Sequence, residues 1–362
     1  MYALAAMHTA TPTRTPTTAL PARTPLGRKL RTPALVFAAL LGLDFLIAAN
    51  RDVWERYSPD DYAERVRGCA AFPRDFVAVG GSPVAEGIDP ALIGTNGYAI
   101  GLSGGTTTDM YYALTHACPT PPRVVVYGVS VSDMNDSRNE PHGPHSLMTW
   151  GDLAECVRTR PDVAEWETRH FLQARLGRCW AAFRYRHGIR MWAAATADEA
   201  FPGCCPVSAK EARDGRTLSD ALRTGNGYVP TAGFAFRQYD NVKATNAPQP
   251  PFGFLDKYRT GSHLKYVDKM LDWANERGSD IVLVEMPVTA DLEAKYAAAV
   301  AEFRTRLAEV ESRRGVKVVR ATRDAVGLGD GDFADLIHLN HIGAKKLSTW
   351  VRDVAFKSRE RK

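Results

Sequence analysis

The chain has 362 residues, 45% of them hydrophobic and 24% charged, and a formal net charge of +5. That length accommodates one large domain or two ordinary ones of globular composition. The charge gives no sign of a nucleic-acid surface: residues 1–43 hold Arg14, Arg23, Arg28, Lys29 and Arg31 and no acid, which leaves the remainder close to neutral.

Residues 1–32 are rich in Thr and Pro, "TATPTRTPTTALPARTP", and poor in the apolar residues a core needs, so a disordered basic tail is expected. An almost unbroken apolar run, "PALVFAALLGLDFLIAA", follows at 33–49. It is at the short end of what crosses a bilayer. A cleavable signal would need small residues at −3 and −1, and "IAAN" matches that poorly, so an uncleaved anchor is the expectation. The basic flank then stays in the cytoplasm, and everything after residue 50 lies outside the membrane, with 50–73 as linker and helix. The lone acid of the run, Asp44, is five residues from its outer end and is expected to reach the interface, with a protein partner in the membrane as the alternative. Six cysteines follow (Cys69, Cys118, Cys156, Cys179, Cys204, Cys205), an even number that permits disulfides outside the cytoplasm without fixing their pairing. Adjacent Cys204 and Cys205 cannot readily bond each other and need distant partners. No Cys or His spacing suggests zinc, and the two histidines of "PHGPH" read as a surface loop, so no metal is expected.

From residue 74 short apolar strands alternate with helical stretches. "RDFVAVGG", "GYAIGLS", "RVVVYGVSV", "SDIVLVEMPV" and "VKVVRA" read as strands. "TTTDMYYALTHAC", "HLKYVDKMLDWANERG", "LEAKYAAAVAEFRTRLAEVESRRG" and "HIGAKKLSTWVRDVAFK" read as helices, two of them closing on Gly278 and Gly315. Strands that are nearly all apolar and alternate with helices indicate an α/β domain over 74–357, its mostly parallel sheet covered on both faces. Residues 137–260 break the rhythm with an Arg- and aromatic-rich helical stretch and a Gly/Pro-rich segment, and are expected to form an insertion or lid. Its Trp and Arg side chains are expected to pack and snorkel, with sugar or membrane binding as the alternative.

The chemistry is expected at strand ends, because ligands of open α/β sheets bind beyond the carboxyl ends of the strands. Ser82 follows such an end directly, after Gly80 and Gly81, which permit a sharp turn and close approach to the backbone. A serine needs a base to become a nucleophile, and the base needs an acid to hold it. Asp335 and His338, in "DFADLIHLN" between the last strand and the last helix, have the spacing for that pair.

"VGGSPVAEGIDP", "YAIGLSGGTTTDMYYAL" and "DLIHLN", in this order, resemble the SGNH (GDSL-like) hydrolase superfamily. The resemblance is greatest to its membrane-anchored branch, whose members work beside membrane-bound O-acyltransferases in cell-envelope polymer acylation. It covers roughly 74–135 and 263–355. It implies a three-layer sandwich, Ser82 as nucleophile, His338 as base and Asp335 as its partner. It implies an oxyanion hole from the N–H groups of Ser82 and Gly104, with Ser130 standing where the family has asparagine. Ser130 and Pro83 are departures, and losing one oxyanion donor costs on the order of 100–1000-fold in rate. The resemblance therefore implies an exported esterase or acyltransferase acting on a carbohydrate polymer without a cofactor. An adaptor that binds polymer for the membrane-bound acyltransferase is the alternative.

Overall fold

The computed structural model describes residues 26–57, 61–137, 145–204, 222, 225–228, 239 and 252–356. It divides into two compact units, Met1–Leu46 and Ile47–Lys362. In the first, the described residues belong to helix α1 (Leu26–Ala49), of which Thr32–Ala49 is long and apolar enough to cross a membrane. The expected disordered tail over 1–32 is corrected at its end, since the helix begins at Leu26 and runs through Pro33. Residues 26–31, "LGRKLR", contain good helix formers, and extending an existing helix costs far less than starting one. Residues 1–25 lie outside the described residues.

The second unit is α/β. Helices α2 (Arg51–Tyr57) and α3 (Asp61–Ala70) lead into β1 (Phe76–Gly81), α4 (Ser82–Gly87) and α5 (Pro90–Ile93). There follow β2 (Gly97–Leu102), α6 (Thr107–Ala117) and β3 (Val124–Val129). The insertion contributes α7 (Trp150–Thr159), α8 (Ala164–Cys179), α9 (Ala181–Arg184) and α10 (Arg186–Ala200). The chain returns through α11 (Ser262–Glu276), β4 (Asp280–Glu285), α12 (Ala290–Lys295), α13 (Ala297–Arg314), β5 (Lys317–Arg320), α14 (Arg323–Val326) and α15 (His341–Val351). The stretch expected as one long helix ending at Gly315 is two, broken where the buried Tyr296 leaves helical geometry (φ −118°, ψ 38°).

The five strands form one all-parallel sheet in the order β2-β1-β3-β4-β5. β1, β2 and β3 are buried along their whole length, as strands covered on both faces must be. The register sets three glycines side by side, Gly80 opposite Gly101 on one side and Gly128 on the other. Helix α4 lies directly on this row. A Cβ on Gly101 would come 2.2 Å from the Ala85 Cα, and one on Gly80 or Gly128 would meet the Val84 side chain at 2.2 or 2.3 Å. The glycines thus let a helix that starts on Ser82 settle against the ends of three strands.

The insertion is packed, at least where it is described, and is not a free lid. A second apolar cluster joins Met148, Leu153, Cys156 and Phe171 to Tyr112 of α6 and Tyr266 of α11. Trp192 of α10 meets Trp54 of α2 edge-on at 5.4 Å. Further on, Asn226 accepts the Ala99 N–H at the free edge of β2, and Tyr239 donates its N–H to Phe333. Most of 205–251, with Cys205, lies outside the described residues, as does His142.

Candidate active site

Ser82 is the first residue of α4, and Gly81 is that helix's N-cap. The hydroxyl of Ser82 does not cap the turn. It lies 2.7 Å from His338 Nε2, across 256 residues of sequence. Gly81 is confined by its surroundings, since a Cβ there would come 2.8 Å from Asp133 Oδ1. The opening pair of glycines therefore has two separate causes: Gly80 makes room for α4, and Gly81 makes room for a carboxylate beside the serine.

His338 stands on a narrow loop between β5 and α15. The ends of the loop are pinned by an antiparallel bridge between Phe333 and Leu339 and by the Ala334 N–H donated to the His338 carbonyl at 2.8 Å. Asn340 fixes its exit, accepting the N–H groups of Ile342 and Gly343 as the cap of α15. Within the loop Asp335 is fully buried. One of its oxygens accepts the N–H groups of Ile337 and His338, each at 2.9 Å, and the other lies 2.8 Å from His338 Nδ1. This is a short polar turn of the kind aspartate makes with its own following backbone. It leaves the imidazole one orientation, with Nδ1 toward the acid and Nε2 toward the serine.

The electrostatics suit the roles. Burial acts to push the Asp335 carboxyl up. The His338 hydrogen bond and charge and the two backbone N–H groups outweigh it, so the group is held below the ordinary aspartate value and stays ionised. Burial acts to lower the His338 pKa. The Asp335 hydrogen bond, together with the negative charges of Glu86, Asp335 and Asp133, overcomes that and raises it. Glu86 and Asp133 were not foreseen as members of the site. Glu86 is buried four residues after Ser82 on the same short helix, and that spacing is a signal the sequence already carried.

The two other predicted oxyanion residues lie at the same sheet edge. Gly104 is in the turn after β2, two residues beyond the register partner of Gly81, with φ 72°. That left-handed conformation favours glycine. Ser130 follows β3 directly and is buried. Its N–H is donated to Asp133 Oδ2 at 2.9 Å, and its hydroxyl is 2.7 Å from that of Ser132. The arrangement can move a proton from Ser82 through His338 and hold the resulting cation against Asp335.

Elsewhere the histidine loop departs from expectation. His145 is buried and lies 2.7 Å from Glu167, because the insertion folds over it. Among the described residues no group of three His, Cys, Asp or Glu is placed to hold a metal ion, and no two cysteines are bonded. Cys69 and Cys118 are buried in contact, with their sulfurs 3.9 Å apart. Compared with known proteins, the chain matches no family model and no curated protein.

Proposed function

We propose that this protein is an SGNH-like serine esterase or O-acyltransferase, its α/β unit a three-layer domain held outside the cytoplasm by α1, acting on an acylated cell-envelope glycan. The observation that carries the reading is the continuous relay from Ser82 Oγ to His338 Nε2 and from His338 Nδ1 to Asp335. In the proposed reaction His338 takes the hydroxyl proton as Ser82 Oγ attacks an ester carbonyl. The N–H groups of Ser82 and Gly104 receive the oxyanion. The same proton passes from His338 to the departing alkoxide, leaving an acyl-serine. Water or a sugar hydroxyl then gives its proton to His338, takes the acyl group and restores Ser82. Asp335 holds the imidazole in the tautomer both steps need.

Ser82→Ala and His338→Ala are expected each to abolish turnover of a small acyl ester by the full-length protein, and the double variant to be no worse, because the two act as one unit. An active-serine probe should label Ser82 and no other residue. One observation favours the second reading, a polymer-binding adaptor for a membrane-bound O-acyltransferase: where the family presents an asparagine amide, this chain has the Ser130 hydroxyl, which is paired at 2.7 Å with that of Ser132. Protein that no such probe labels, yet that binds glycan as well as Ser82→Ala does, would decide for the adaptor.

A further inference from the structure

Away from Ser82, four arginines from four helices converge on one cavity of about 540 Å³: Arg67 of α3, Arg178 of α8, Arg184 of α9 and Arg186 of α10, with His145 and His170 beside them. No Asp or Glu is among the described residues that line it. The carboxylates stand behind the wall. Glu64 and Glu55, both buried, hold Arg67 at 2.6 and 3.3 Å, Glu55 also lies 3.7 Å from Arg184, and Glu167 holds His145. Arg178 and Arg186 meet no carboxylate among the described residues and donate to the backbone carbonyls of Ser146 and Phe183. Burial lowers the Arg178 pKa, and the charges of Arg175 and Arg184 lower it further. A merely solvated face mixes its charges. Here, among the described residues, two buried glutamates offset half of the four arginines and leave two positive charges at an open space.

We propose that this cavity binds a phosphate group. Guanidinium forks bind phosphate oxygens in pairs, and the surplus of two charges matches a phosphate dianion. Two sources share that chemistry: the headgroup of an anionic lipid and a soluble phosphorylated molecule. The lipid source is the one close in sequence to the apolar helix, since Glu55, which holds Arg67, follows the end of that helix by six residues. The site does not depend on the catalytic reading, because none of its lining residues belongs to the Ser82 relay.

The test uses the full chain in phosphatidylcholine nanodiscs, titrated with inorganic phosphate by calorimetry at low salt. Saturable binding is expected, weakened at least tenfold in the double variant Arg178→Gln/Arg186→Gln and retained in Arg178→Lys/Arg186→Lys, which keeps the charge. Arg186→Gln alone, the milder change, should weaken it by threefold or more. Repeating the titration in discs containing phosphatidylglycerol separates the sources. Loss of phosphate binding there identifies the headgroup as ligand, and unchanged binding identifies a soluble phosphate. No saturable binding in phosphatidylcholine discs, or binding equal in wild type, Arg186→Gln and the double glutamine variant, overturns the proposal.

Discussion

Three carboxylates bear on His338: Asp335 through a direct hydrogen bond, and Glu86 and Asp133 through their charge. In the proposed reaction His338 acts as a base only when neutral, and its pKa is raised above the ordinary histidine value of 6.5. Ester turnover is therefore expected to rise with pH along a limb centred above 6.5. Glu86→Gln removes a negative charge that favours the imidazolium, so it should move that limb to lower pH while leaving the plateau rate largely intact. A kcat/KM–pH profile checks this, and an unmoved limb would break the proposed electrostatic link. Asp335→Asn is a different change. It offers the wrong hydrogen-bonding pattern to Nδ1 and should cost roughly 10⁴-fold in kcat at all pH values, the loss typical when the orienting acid of such a triad becomes an amide.

The seating of α4 on the glycine row is what turns three strand ends into a site. Gly101→Ala would place a methyl group 2.2 Å from the Ala85 Cα, a backbone atom that cannot swing aside. Helix α4 must lift, carrying Ser82 away from His338. The expected result is a loss of about 2–3 kcal/mol in urea unfolding, the upper range for overpacking, together with loss of ester turnover. A variant with wild-type stability would show that the row is not needed. A second contact joins α3 to the end of α6, where Cys69 and Cys118 lie with their sulfurs 3.9 Å apart. A disulfide requires the sulfurs to close to about 2.05 Å. In an oxidising compartment the pair is expected to form a disulfide, closing a 49-residue loop and adding on the order of 4 kcal/mol. Non-reducing mass mapping of exported protein checks it, and two free thiols there would exclude it.

At the scale of the whole chain, a basic segment, an apolar helix and an α/β unit follow one another in that order. In the proposed topology, argued from the positive-inside rule, the first lies in the cytoplasm and the last outside. A phosphatase that folds only outside the cytoplasm, fused at the C-terminus, should be active, and activity of a cytoplasm-only reporter at that position would reverse the topology. Much of this was legible locally. An apolar run ending on Gly-Gly-Ser identified β1 and Ser82, Asp-x-x-His identified the loop with Asp335 and His338, and Gly315 marked a helix end where the chain turns left-handed. These signals lie within a few residues of one another, so the periodicity and turn chemistry of a short segment carry them. Other features depend on which strands become neighbours. Gly80, Gly101 and Gly128 form a row only because β1 lies between β2 and β3. The commitment of the Ser130 N–H to Asp133, the contact of Cys69 with Cys118 and the gathering of four arginines likewise belong to the folded chain. Sequence alone determined the five strands, most of the helices that alternate with them, and Ser82, Asp335 and His338 as residues that could do chemistry. Tertiary structure alone decided what each of those residues touches, because a hydrogen bond across 256 residues exists only once the sheet order has brought its two ends together.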